Sequence, residues 1–186
     1  MGEVTQLIAR AQEGDRASLD RLFELLYPEL RRIAHRRLAH DGRSGSLQTT
    51  ALVNECYLKF AQREGLSPSD RAHFLAYAAT VMRSVIVDAA RSARTDRRGG
   101  DAPHVTLDTA VGDSAAAAAA AGEVLDVHAA LEELQAIDAR LVRVVEMRYF
   151  VGMTDLEIAE VLGVTDRTVR RDWEKARLLL AHSMRN

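Results

Sequence analysis

Residues 154–180 read TDLEIAEVLGVTDRTVRRDWEKARLLL, and this stretch decides the fold of the half of the chain around it. It spells two helices and a tight turn. Thr154 and Glu157 stand in T-x-x-E spacing, a capping box in which two orphan backbone N–H groups are satisfied reciprocally. Leu156, Ile158, Ala159 and Leu162 form an apolar face, and Gly163 supplies a residue that takes φ > 0 where the first helix ends. Thr165 is placed to cap the second helix. On that helix Val169, Trp173, Ala176 and Leu180 follow at i, i+4, i+7 and i+11, one buried stripe. The opposite side carries Arg167, Thr168, Arg170, Arg171 and Lys175. A short helix, a glycine turn and a second helix with a basic face predict a helix-turn-helix that lays its second helix in the DNA major groove. The plainer alternative is a helical hairpin with a solvated charged face; the turn chemistry and the clustered arginines argue against it.

Working outward, Asp138 caps a helix through about Phe150, with Leu141, Val144 and Val145 inward, and Val124, Val127, Leu131 and Leu134 set the period of the helix before it. From Gly99 to about Gly122 the periodicity stops. Glycines, Pro103 and the run Ala115 to Ala121 mark a linker, although alanine is the best helix former and the run is able to extend the following helix. Upstream lie a short helix over Glu3 to Glu13 and one capped by Asp15 bearing Leu19, Leu22, Phe23 and Leu26. Pro28 suits the first turn of a further helix carrying Leu30, Ile33, Ala34 and Leu38. Loops are expected at 40–45 and 65–70. Between them Thr49 or Thr50 caps a helix packed through Leu52, Val53, Tyr57 and Phe60. A long helix over roughly 71–97 has Phe74, Ala78, Val81 and Val85 in one stripe. The expected fold is all-α: two small helical domains, 1–98 and 122–186, joined by a flexible linker at 99–121, the second holding the helix-turn-helix.

A chain of 186 residues is long enough to bury a core in each of two such domains. Its net charge of −2 hides the distribution. From Asp101 to Ala139 there are eight acidic residues and no Lys or Arg, whereas from Thr165 onward six Lys or Arg stand against three acids. Asp88 to Arg98 holds four Arg against two Asp, so two basic patches flank an acidic stretch. The single cysteine, Cys56, leaves no intramolecular disulfide and fits a reducing cytoplasm; it reads as a small buried hydrophobe. No apolar run approaches the ~20 residues of a membrane span. The six histidines have no metal-ligand spacing and no glycine-rich phosphate loop is present, so neither a metal, a cofactor nor an enzyme is expected.

Residues 134–180 resemble region 4 of the extracytoplasmic-function (ECF) bacterial sigma factors. The N-terminal half resembles their region 2 through LFELLYPELRRIAHRRL at 22–38, TALVNECYLKF at 50–60 and HFLAYAATVMRSVIVDAARSARTDRR at 73–98. The resemblance implies a dissociable RNA polymerase subunit, acting in the cytoplasm. Region 2 would bind the polymerase clamp and melt the −10 element, and region 4 would bind the −35 element and the polymerase flap. On that resemblance Leu52, Val53, Glu55, Leu58 and Lys59 lie on the clamp-facing helix. His73, Phe74, Tyr77, Arg83, Ser84, Asp88 and Arg91 lie on the helix facing the −10 strand, and Thr165, Arg167, Thr168, Arg170, Arg171 and Lys175 face the −35 element. Strand separation itself calls for aromatic surfaces under unstacked bases and cations on the phosphates. Phe74 and Tyr77 are candidates for the first task, with the core as the alternative for both and the more so for Phe74, which lies on the apolar stripe; Arg83, Arg91, Arg94, Arg97 and Arg98 are candidates for the second.

The chain departs from the family pattern in three places. Tyr77 stands where Trp is frequent, and Ser84 where Asn is frequent. The segment before the clamp-facing helix, usually acidic, reads Gln48, Thr49, Thr50, Ala51, without charge. A phosphate on Thr49 or Thr50 adds about −1.5 to −2 charge near pH 7, and the sequence places both at a helix N-terminus where an anion is favoured. A Ser/Thr kinase acting on Thr49 or Thr50 is therefore one reading; the alternative is that one threonine is simply an N-cap and other contacts make up for the absent charge. An anti-sigma factor is the other regulator the resemblance admits. The competing readings are a stand-alone helix-turn-helix repressor or activator and a protein whose basic faces dock acidic partners. The basic, aromatic-bearing helix far upstream favours the sigma reading over both.

Overall fold

The computed structural model describes residues 2–40, 46–62, 68–96 and 114–185. They form α1 (Glu3–Gln12), α2 (Arg16–His40), α3 (Ser46–Gln62), α4 (Arg71–Asp96), α5 (Ser114–Ile137), α6 (Ala139–Glu146), α7 (Asp155–Leu162) and α8 (Asp166–Ser183). A π-helical turn, Met147–Val151, joins α6 to the segment before α7. The fold is all-helical, as expected, and the described residues contain no strand.

Three local expectations change. The helix expected to begin at Pro28 is instead the second half of α2, with Pro28 inside it. The reason is packing. Leu19, Leu22, Phe23, Leu26, Leu30, Ile33 and Ala34 form one stripe that runs through the proline and is buried along its length, so tertiary burial outweighs the lost backbone bond. Helix α3 begins at Ser46, so Thr49 and Thr50 are its fourth and fifth residues and neither is the N-cap. Helix α5 begins at Ser114 and takes in the alanine run, so the expected linker's residues 114–121 are helical, while 99–113 lie outside the described residues.

The core is divided differently from the expectation of one core per domain. A large cluster joins α1 to α4 with Val144, Met147, Phe150, Met153, Ile158, Ala159, Val161 and Val169 from the C-terminal half. A smaller one unites Leu131 and Leu134 of α5 with Leu141, Val142 and Val145 of α6 and Ala176 of α8. Helix α4 is the hub: it packs against α2, α3, α5, α6, α7 and the π-helical turn. Gly152, at φ 77°, reverses the chain after that turn. A Cβ there would lie 3.1 Å from the Arg36 guanidinium, so α2 also reaches across to the C-terminal half.

Candidate nucleic-acid interface

Helices α7 and α8 form as their sequence dictates. Thr154 and Glu157 close a reciprocal capping box, and the Thr154 bonds hold the Glu157 carboxyl below the usual carboxylate range. Gly163 takes φ 64° at the end of α7, and Thr165 caps α8 by accepting from the Thr168 N–H. Thr165 and Thr168 also share a hydroxyl contact at 3.0 Å, so both serve the turn. One expectation fails on α7: Leu156 is 71% exposed, and Val161 takes its place in the core. The buried face of α7 is thus Ile158, Ala159 and Val161, the i, i+1, i+3 set that meets α4 and α8.

On α8, Val169 and Ala176 are fully buried and Trp173 and Leu180 partly so, as the stripe predicts. Asp172 shares that face, a buried charge that the apolar stripe passed over. Its carboxylate is buried and accepts from Arg140 Nε of α6 at 2.7 Å; the bond raises the Arg140 pKa. A charged residue between Val169, Trp173 and Ala176 on a buried face has to be paired, so the sequence did carry the signal. Arg148 adds a second brace, stacked 4.8 Å over the Trp173 ring and ion-paired with Asp155 at 2.8 Å. The outward side of α8 presents Arg167, Arg170, Arg171 and Lys175, all exposed. Arg170 is tied to Asp166 of its own first turn and lies 3.9 Å from Asp155; its bond lowers the Asp166 pKa. Arg171 stands 73% exposed beside the far oxygen of Asp172.

On α3 the structure separates two roles that sequence had assigned to the same residues. Leu52 and Val53, expected to meet the clamp, are 2% and 1% exposed and belong to the core, so they have no surface to offer a partner. Leu58, 45% exposed, and the half-buried Glu55 do face outward. Lys59 bridges to α4, donating to Ser84 Oγ at 2.8 Å and to Asp88 Oδ2. Cys56 is buried, and burial pushes its thiol up to about 12. Thr49 is 2% exposed and Thr50 half-buried.

On α4 the residues expected at the −10 strand divide in the same way. Phe74 is fully buried among Phe23 and Phe60 and cannot stack on a base. Tyr77 is half-buried, edge-on to Phe60 at 5.0 Å. His73 serves the start of α4: its backbone N–H and Nδ1 both meet the Asp70 carboxylate, at 2.9 and 3.0 Å. Burial alone would raise the Asp70 pKa, but these bonds bring it below its ordinary value. Ser84, Asp88 and Arg91 form an exposed i, i+4, i+7 stripe, continued by the exposed Arg94. Arg91 meets His128 of α5 at 3.2 Å. Arg83 turns to the other side, toward Glu146 of α6. Arg97 and Arg98 lie outside the described residues.

Among the described residues no three His, Cys, Asp or Glu side chains converge as metal ligands, and no helix is long and apolar enough to cross a membrane. The described residues present a braced helix, α8, with an exposed basic face, and an exposed polar stripe on α4. No curated protein matches this sequence. A family model described as ECF sigma factor matches residues 1–186, end to end across both surfaces, and the chain belongs to that family, whose members are transcription-initiation regulators that bind core RNA polymerase and promoter DNA.

Proposed function

We propose that this chain directs core RNA polymerase, in the cytoplasm, to promoters whose −35 element is read by α8 and whose −10 strand is met by α4. It acts by binding, without catalysis of its own. Residues 1–98 and 122–186 divide these tasks. The observation that carries the reading is the solvent face of α8. Arg167, Arg170, Arg171 and Lys175 are exposed together on a helix whose other face is anchored by Val169, Asp172 and Ala176. In helix-turn-helix proteins the early residues of that helix reach base edges and phosphates. Leu58 and Glu55 are the α3 side chains best placed for the clamp. Run-off transcription with core enzyme over a pool of genomic fragments tests the reading directly. A bidentate Arg–guanine contact is worth about 1–3 kcal/mol of discrimination, so Arg171→Ala should cut −35-dependent yield about 5- to 150-fold at unchanged core affinity. Wild-type yield from Arg167→Ala, Arg171→Ala and the double variant would remove α8 from promoter reading.

Control by phosphorylation is assigned to Thr50. The uncharged segment Gln48 to Ala51 stands where the family is usually acidic, and Thr50 is the more exposed of the two adjacent hydroxyls. The Thr49 side chain is buried, so a kinase reaches it only by opening α3. Because Thr50 lies beyond the first turn, the helix dipole contributes little there, and the gain comes from the phosphate charge itself. Core affinity of phosphorylated protein, measured beside unmodified protein and Thr50→Ala, is the test. The expected result is tighter binding on phosphorylation of Thr50. Equal or weaker binding ends this assignment, and tight binding by the unmodified chain makes it unnecessary.

A further inference from the structure

A cavity of about 250 Å³ lies between α4 and α6, and it shares no residue with the basic face of α8 or with the Ser84, Asp88, Arg91 stripe. One wall is the α4 row His73, Ala76, Tyr77 and Thr80, at i, i+3, i+4 and i+7. The other is Arg143 and Glu146, i and i+3 on α6, with Met147 and Pro68 completing an apolar lining. His73 has its Nδ1 committed to Asp70. Sequence assigned His73 and Tyr77 to the −10 strand, and neither assignment accounts for the space between them and α6.

The polar groups of the lining are unevenly satisfied. The Glu146 side chain is 5% exposed, and its Oε2 accepts from the Thr80 hydroxyl at 2.7 Å. Oε1 lies 2.9 Å from Arg83 Nε, but off the N–H direction, so it gains a countercharge and makes no hydrogen bond although it is buried. A buried acceptor in that state calls for a donor. Because Arg83 already supplies the positive charge, a second cation beside it is repelled, and a neutral hydroxyl is the matching donor. Arg143 is exposed and pairs with no described residue, which leaves its guanidinium fork open to a carboxylate. The β-carbons of residues i and i+3 stand about 5–6 Å apart. A hydroxyl and a carboxylate on adjacent carbons span that gap with one hydrogen bond at each end. We propose that the cavity binds a small α-hydroxy carboxylate. Its hydroxyl donates to Glu146 Oε1, its carboxylate meets Arg143, and its apolar side chain lies against Ala76, Tyr77 and Met147. The volume is below the roughly 300–1,000 Å³ of drug-sized sites, so that side chain is no larger than a branched alkyl group or one ring. The site stands apart from the promoter-binding reading, and neither depends on the other.

Isothermal titration calorimetry on the full-length chain, with lactate, hydroxyisocaproate and phenyllactate as probes, tests the site. At least one of the three should bind saturably, at one site per chain. The analogue of that probe without its hydroxyl (propionate, isocaproate or phenylpropionate) should bind at least about fivefold more weakly, because Glu146 Oε1 then stays unpaired. The matching amino acid (alanine, leucine or phenylalanine) should be weaker by at least about the same factor, because its ammonium faces Arg83. Arg143→Ala should weaken binding at least about tenfold by removing the charge-assisted contact. Ala76→Leu, which fills the cavity from α4, should abolish it, with circular dichroism reporting whether the variant folds. Arg143 is exposed, so its variant carries the test if Ala76→Leu does not fold. No saturable binding by any of the three probes overturns the site and leaves the space to water. Binding undiminished by Arg143→Ala puts the ligand elsewhere on the chain and overturns it equally. An amino acid or a hydroxyl-free analogue that binds as tightly as the hydroxy acid overturns the pairing with Glu146, and with it the ligand class.

Discussion

The brace between α6 and α8 makes an unequal prediction for its two partners. Asp172 is 3% exposed at its side chain, whereas Arg140 is 42% exposed. Arg140→Leu therefore strands a buried carboxylate, with only Arg171, 3.8 Å from the other oxygen, left to compensate. Removing one partner of a buried pair costs about 3–5 kcal/mol, and the nearby Arg171 places this case at about 3. Asp172→Asn strands an arginine that turns into solvent at little cost. It exchanges a charge-assisted hydrogen bond for a neutral one, a loss of about 1 kcal/mol. For a chain of this size each kcal/mol moves Tm by about 2–4 °C. Arg140→Leu should then melt about 6–12 °C lower than wild type, and Asp172→Asn about 2–4 °C lower, by circular dichroism at pH 7. The argument depends on which partner is buried rather than on the pair's existence. An Asp172→Asn loss equal to or above that of Arg140→Leu would refute it.

Two further outcomes follow from placements on α3 and α5. Leu58→Ala should weaken core-polymerase binding with stability within about 0.5 kcal/mol of wild type, whereas Leu52→Ala should cost about 2–5 kcal/mol of stability by leaving a cavity; chemical denaturation alongside a core-binding assay separates the two, and equal stability losses would put Leu58 in the core. Burial, joined by the Arg83 and Arg91 charges and opposed by Glu132, pushes His128 below its ordinary 6.5. The unfolded chain then binds a proton near pH 6.5 that the folded chain does not, so stability falls as pH drops below about 6.5 until the depressed folded value is reached. His128→Gln should flatten that part of the Tm–pH curve, and an unchanged curve would clear His128.

Legibility in the sequence followed the range of the interaction. The capping box at Thr154, the left-handed Gly163 and the cap at Thr165 are contacts within a few residues, written in the residue types themselves. The α4 and α8 stripes were equally plain, because burial on one face imposes a period. Pro28 misled because its local cost is visible in sequence, while the continuous stripe that overrides it only counts once α1, α3 and α4 cover it. Leu52 and Val53 received two incompatible roles, since periodicity states that a residue is on an apolar face but not which partner covers it. Glu146 was silent: its partners are 66 and 63 residues away, and nothing local marks a glutamate as the charge that will meet Thr80 and Arg83.

The shared core also sets an order of events during synthesis. Helix α4 is complete once Asp96 has emerged, but the residues that cover its Thr80–Arg83 side, 144–158, are made some fifty residues later. At roughly 5–20 residues per second that side of α4 stays uncovered for several seconds on every nascent chain. Over the same interval Arg83 has no Glu146 to hold, and the apolar residues beside it are open to chaperones. A ribosome-bound chain stalled after Asp96 has emerged but before residues 144–158 have done so should therefore be a better chaperone client than the finished protein, with the difference removed once those residues cover α4.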